Sequence, residues 1–196
     1  MFGLQLTSPP QTVRDLAVRL PLAQSLPAMD KLLQQKILPG SPPDVNVVFT
    51  TDDVRDSALL LPNSTQLRRV ERVLEVADGR SQSPGESWSR AIMIQSGFPI
   101  PNLQVPFRDN RGLIGYPDFD WEEFKLLGEF DGFEKYSSQQ YLKGKTPSEV
   151  VVAEKNRENR LRALGYNVVR WVWDDLRDER RLIVLLHEAG LPSTKR

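Results

Sequence analysis

At Asp78-Gly79-Arg80-Ser81 the hydrophobic periodicity of the chain changes, and a single all-α or all-β packing does not accommodate both halves. Before that point apolar residues recur at intervals of three and four, through Val13, Leu16, Ala17 and Leu20 and then Leu22, Leu26, Met29, Leu32 and Leu33. This is the stripe of short amphipathic helices, separated by Pro-rich joints such as Ser41-Pro42-Pro43. Two more helices are predicted, over residues 52–61 and after Ser64, whose hydroxyl is placed to cap a run carrying Leu67, Val70, Val73, Leu74 and Ala77. Residues 45–50 fit a strand as well. Charge alternates on the solvated faces of this half, which reads as structural or docking rather than chemical. Beyond Ser81 helix and strand signals alternate, so the expected fold class is α+β: a helical N-terminal region over 1–80, then a second domain over 81–196.

The second half opens with Ser83-Pro84-Gly85-Glu86, a capping-box start for a helix that Gly97 and Pro99 stop. Three strands rich in aromatic and branched residues are predicted over 103–108, 113–121 and 124–131. Thr146-Pro147-Ser148-Glu149 repeats the capping box with Pro at the first helical position, and Gly165 ends that helix. A strand over 167–173 and a helix to about His187 complete the order helix, three strands, helix, strand, helix.

Composition removes several chemistries. With no Cys, disulfides, thiol nucleophiles and thiolate zinc sites are out, and one His leaves little for a serine-type triad. The 26 Lys and Arg balance the 26 Asp and Glu, so a charged ligand must be met by a local patch. No apolar run approaches the ~20 residues of a membrane span and no leader-like segment opens the sequence, so a soluble, cytoplasmic protein without membrane contact is expected.

The informative residues are acids. In Pro117-Asp118-Phe119-Asp120-Trp121, strand alternation puts Asp118 and Asp120 on one face; in the next strand it groups Lys125, Leu127, Glu129 and Asp131. A hairpin joining these strands gathers up to four carboxylates. Either this is an ordinary solvated face, or a hard divalent cation neutralises it, in which case oxygen-only donors suit Mg²⁺ or Mn²⁺. On the following helix, Glu154 and Arg157 project from the apolar stripe of Val150, Ala153, Leu161 and Leu164. Being three apart they are able to pair with each other; alternatively they reach the acidic face or position a phosphate. Arg170, beside Val168 and Val172, fits an ion-pair partner at the core edge, and His187 is explained by the dipole of the last helix.

Pro117-Asp118, ten intervening residues and Glu129-Phe130-Asp131 resemble the active-site signature of the PD-(D/E)xK nuclease superfamily. More narrowly, Asp118-Phe119, Glu129-Phe130-Asp131-Gly132, Lys135-Tyr136, Glu154 with Arg157 and Leu161, and Gly165 with Val169-Arg170-Trp171 look like the very-short-patch-repair-endonuclease-like (Vsr-like) proteins of actinobacteria and their phages. The resemblance covers about residues 81–175, and residues 7–33 look like the middle helical region of those proteins. It implies a restriction-endonuclease-like α/β core with a mixed sheet, and a shortened relative without the winged helix that often precedes it. Asp118 and Glu129 are then the metal ligands, with Asp120 and Glu154 behind them. Asp131 stands where the superfamily places a catalytic Lys, although an acid there is similar to the narrower family; Lys135 or Lys155 is the alternative source of an ammonium group. Glu86 matches an auxiliary carboxylate, and equally well a helix cap.

The resulting expectation is a Mg²⁺- or Mn²⁺-dependent endonuclease hydrolysing DNA phosphodiester bonds, in phage–host conflict or repair, with a homodimer as one arrangement. Phosphate contacts fall to Arg90, Lys143, Lys145 and Arg157. The alternative is a catalytically inactive nuclease-fold module that binds DNA or protein as an antitoxin-like regulator.

Overall fold

A computed structural model describes residues 6–34, 48–132 and 147–195. The fold is α+β, a helical region followed by a mixed sheet with helices. The chain divides into two compact units, Met1–Ala91 and Ile92–Arg196, the division falling inside the helix that opens the second half of the sequence.

The first unit is built from α1 (Pro9–Arg19), α2 (Leu22–Leu33), α3 (Thr51–Ala58), α4 (Ser64–Leu74) and the start of α5 (Pro84–Ser96). Each start has a local cause. Ser8 and Gln11 form a reciprocal capping box ahead of Pro9-Pro10, and Thr50 and Asp53 form another ahead of α3. Ser64 is not the cap of α4: Asn63 precedes it in extended conformation and its side-chain oxygen accepts from the Gln66 N–H at 3.0 Å. An Asn carbonyl at that point reaches the free amides of the first turn, and Ser64 becomes the first helical residue. Leu26, Met29, Val54, Ala58 and Val70 are fully or almost fully buried, as the three-and-four spacing requires. Residues 48–50 do not form a strand, and 45–47 lie outside the described residues.

Within this unit Arg90 is buried, not displayed. Its guanidinium donates to Asp30 at 2.9 Å, to the Ser81 hydroxyl at 3.2 Å and to the Val76 carbonyl at about 2.5 Å. With its side chain 5% exposed it serves as an internal cross-link of α2, α5 and the turn between α4 and α5, which corrects its assignment as a phosphate contact.

The second unit carries six short strands among the described residues: β1 (Asn102–Leu103), β2 (Phe107–Asp109), β3 (Gly112–Gly115), β4 (Phe119–Trp121), β5 (Leu126–Phe130) and β6 (Asn167–Trp171). The three long strands expected from the sequence are broken. Gln104 adopts φ 55°, which splits 103–108, and residues 116–118 leave the ladder before β4. Lys125, at φ 49° after the 3-10 turn Glu122–Phe124, is not in a strand. Its ammonium lies 4.8 Å from the Tyr166 ring centroid.

The main sheet has the order β1-β4-β5-β6, antiparallel except for the parallel pair β5–β6, and β2–β3 is a separate hairpin. The helix α6 (Pro147–Ala163) supplies the crossover that a parallel pair demands. Gly165 at φ 87° ends the crossover, and α7 (Trp173–Arg177) and α8 (Glu179–Glu188) follow β6. The strand predicted over 167–173 therefore ends at Trp171. The fully buried Leu161 of α6 meets Leu127 of β5 together with Phe107 and Ile114.

The opposite face of the sheet is aromatic: the Phe119 and Trp171 rings stack 5.2 Å apart, and the Trp121 indole donates to the Pro99 carbonyl at 2.8 Å. Gly128 lies beneath these rings, where an added Cβ would come within 2.6 Å of Trp171 and 3.0 Å of Trp121. Gly128→Ala is therefore expected to lower stability by about 1–3 kcal/mol, the range for overpacking a filled core, read as a lower melting temperature with the secondary structure retained.

Candidate active site

β5 and β6 run parallel with Glu129 opposite Arg170, so register alone sets these two side chains side by side on one face. α6 crosses that face and adds Glu154, Arg157 and Glu158, from successive turns. Together with Asp118 from the segment before β4 and Asp131 just past β5, they line a cavity of about 830 Å³, bordered also by Tyr116, Lys155 and Arg162.

Glu129 is the buried centre, its side chain 9% exposed. Arg170 Nε donates to one carboxylate oxygen at 3.0 Å and Arg157 to the other. Arg157 also donates to Glu154 at 2.9 Å, and Arg170 to Glu154 at 2.8 Å and to Glu158. Asp131 Oδ2 is 4.0 Å from Arg170 Nε. Burial pushes the Glu129 carboxyl up, but the two guanidinium groups more than offset it and hold it below the usual carboxylate range. Both arginines are held above their ordinary value by these same acids, against the effect of burial. Arg157 passes so close to the hairpin that a Cβ on Gly115 would lie 2.9 Å from its Nε.

Asp118 is oriented by its surroundings. The Phe130 N–H donates to Oδ2 at 2.8 Å and the Gln104 amide to Oδ1 at 3.2 Å. Gln104 reaches it from a left-handed backbone conformation that a non-glycine residue adopts rarely. Nothing in the local sequence marks Gln104; only the return of β4 beside β1 reveals it.

The other predicted residues separate. Asp120 is 4% exposed and does not line the cavity; burial, with Glu122 nearby, pushes its carboxyl up, and its Oδ1 has no hydrogen-bond partner among the described residues. Asp118 and Asp120 do not extend one acidic strand face, because the strand begins only at Phe119. Glu86 accepts from the Gln82 N–H at 2.8 Å while its own N–H donates to Ser83 Oγ at 3.2 Å, so its carboxylate is engaged at the start of α5. Lys135, Lys143 and Lys145 lie outside the described residues. His187 faces the Leu191 carbonyl at 3.1 Å and the Phe98 ring, within the second unit's packing.

In kind, the donors on this cavity fit a hard divalent cation, since Asp118, Glu129 and Asp131 offer only oxygen. In position they are not gathered: among the described residues no three acids or histidines lie close enough together to hold an ion. Both oxygens of Glu129 are turned to Arg157 and Arg170.

The chain is 35% identical over 110 residues to two uncharacterized proteins of Mycobacterium tuberculosis, one from strain CDC 1551 / Oshkosh and one from strain H37Rv. The match takes in 56% of this chain and 37% of each relative, so the chain spans well under half the length of the curated relatives it matches. No protein-family model matches the chain, and no solved structure does. Among the described residues no helix is long and apolar enough to cross a membrane.

Because Glu129 has a lowered pKa in the folded state, its contribution to stability is complete above its unfolded value, ~4.3, and disappears as pH falls through the folded value. Asp109, lowered to about 2 chiefly by its hydrogen bonds from Arg160, works in the same direction. The acid-side fall in melting temperature is expected to be shallower in Glu129→Gln than in the wild type as pH drops below ~4.3, and shallower in Asp109→Asn between ~3.9 and about 2. Parallel curves would contradict the assignment.

Proposed function

We propose that the second unit is a metal-dependent endonuclease domain acting on DNA. The observation that carries this reading is that Asp118, from the segment before β4, lines one cavity with Glu129 and Asp131 from the end of β5, together with arginines. Register accounts for the meeting of Asp118 and Glu129: β4 and β5 pair with Phe119 opposite Gly128, which carries the preceding and following residues towards each other. An ion at Asp118 and Glu129 would supply Lewis-acid chemistry, polarising a phosphate oxygen and lowering the pKa of a water.

The chain's own residues supply the rest. Arg157 and Arg170 present guanidinium groups suited to phosphate oxygens. Gln104 and the Phe130 amide fix the orientation of Asp118. Glu154 and Glu158 hold the two arginines in place from α6. A second reading, a catalytically silent module with an antitoxin-like binding role, is favoured by one observation, the occupation of both Glu129 oxygens by arginine.

Calorimetric titration of Mg²⁺ or Mn²⁺ into the wild type and an Asp118→Ala/Glu129→Ala variant, with plasmid and single-stranded DNA incubated in parallel, separates the readings. Endonuclease function predicts metal binding and strand cleavage that both vanish in the variant. A wild type that binds no metal and cuts no DNA leaves the silent module. A milder variant probes Asp118 alone: Gln104→Gly removes a positioning side chain while relieving its backbone strain. Cleavage is expected to fall about 10–100-fold, as for lost support of a metal ligand, with the melting temperature kept or raised.

A further inference from the structure

We propose that the outer face of α4 and the C-terminal end of α1 bind the phosphate backbone of duplex DNA. The proposal goes beyond the cleavage site, shares with the proposed function only its nucleic-acid substrate, and does not depend on catalysis.

Arg68, Arg69 and Arg72 of α4 and Arg19 of α1 are all exposed. None of the four is in an ion pair among the described residues, whereas Arg14, Arg55, Arg80 and Arg90 of the same unit each have an acidic partner. Arg68 and Arg72 lie one helical turn apart, where like charges repel, and Arg68 has only a neutral partner, the Thr65 hydroxyl, to which Nη2 donates at 3.3 Å. Arg69 Nη1 donates to the Val18 carbonyl at 2.7 Å, which draws that guanidinium over the end of α1, beside Arg19. Carbonyls at a helix C-terminus favour such a cation, so the cluster is held together by the fold although its members repel. The acid on this helix, Glu71, is turned to Arg55 at 3.3 Å, and the exposed Glu75 closes the stripe at its far end.

Charge complementarity selects the occupant. In a chain whose formal charge is zero, four cations without acidic partners on one surface form a local positive field of the kind that phosphates neutralise. Single strands are held largely by stacking on aromatic side chains, and neither α1 nor α4 contains an aromatic residue. Backbone contact along a duplex needs only the charges.

The test uses the full chain, a labelled mixed-sequence duplex, EDTA to prevent cleavage, and anisotropy read at rising KCl. Arg68→Gln/Arg72→Gln removes two guanidinium groups while leaving the Arg69 hydrogen bond intact; Arg68→Lys/Arg72→Lys keeps the charge. The surface predicts that the Gln pair weakens binding severalfold and shallows the slope of log affinity against log salt by about one per arginine removed. The Lys pair should restore both. Arg177→Gln, which removes an exposed arginine from the second unit, should leave the slope unchanged. A wild type that fails to bind the duplex, a Gln pair with unchanged affinity and slope, or tighter binding to a single strand overturns the proposal. In a parallel reaction with Mg²⁺ in place of EDTA, Asp118→Asn with intact duplex binding but no cleavage supports a binding surface separate from the cleavage site, and a wild type that binds without cutting bears on the proposed function alone.

Discussion

One buried carboxylate facing two guanidinium groups ties the second unit together. Glu129 comes from β5, Arg170 from β6 and Arg157 from α6, so the strand pair and its crossover helix converge on a single side chain. Removing a carboxylate from water is unfavourable unless its charge is matched and its oxygens are hydrogen-bonded, and both conditions are met here. The arginines need acids in turn, and Glu154 and Glu158 provide them from adjacent turns of α6. The network fixes both the rotation of α6 about its axis and its position along β6.

The other face of β5 makes that possible by contributing only volume. Gly128 lets Trp171 and Trp121 close over the strand, Phe119 stacks on Trp171, and Phe130 meets Trp173 edge-on at 5.0 Å. A five-residue strand is too short to hold an ionic face by ladder hydrogen bonds alone. The aromatic layer supplies the apolar burial, and Leu127 with Leu161 secures the helix side. Specificity of arrangement thus comes from the charged face, and cohesion from the aromatic one.

Much of this was legible in the sequence where local periodicity governs the outcome. The helical first half, the alternation of helix and strand in the second, the pairing of Glu154 with Arg157 and the ion-pair role of Arg170 follow from side-chain period and spacing. The apolar stripe read on α6 does not, since Ala153 and Leu164 are exposed and of its four residues Leu161 alone is buried. What escaped depends on contacts distant along the chain. Gln104 meets Asp118 only because β1 pairs with β4, and Asp109 meets Arg160 across a separation of 51 residues. Arg90 looks like a solvent-facing cation until Asp30, at a separation of 60, is brought against it. Strand alternation also misleads at Asp118 and Asp120, since it applies only where the backbone is extended, and the strand starts between them.

The lining of the cavity sets a further condition on any ligand. Asp118, Glu129, Asp131, Glu154 and Glu158 line it together with Lys155, Arg157, Arg162 and Arg170, and the buried Glu129 is paired with two of these arginines. An entering cation must share Glu129 with two arginines, which repel it; an entering phosphate must share those arginines with Glu129. Each ligand removes the obstacle to the other, because a phosphate that takes both Arg157 and Arg170 leaves Glu129 with an unmatched charge in a buried position, which a cation would satisfy. On the proposed reading, metal and phosphodiester therefore bind with positive coupling, and by linkage each strengthens the other by the same factor.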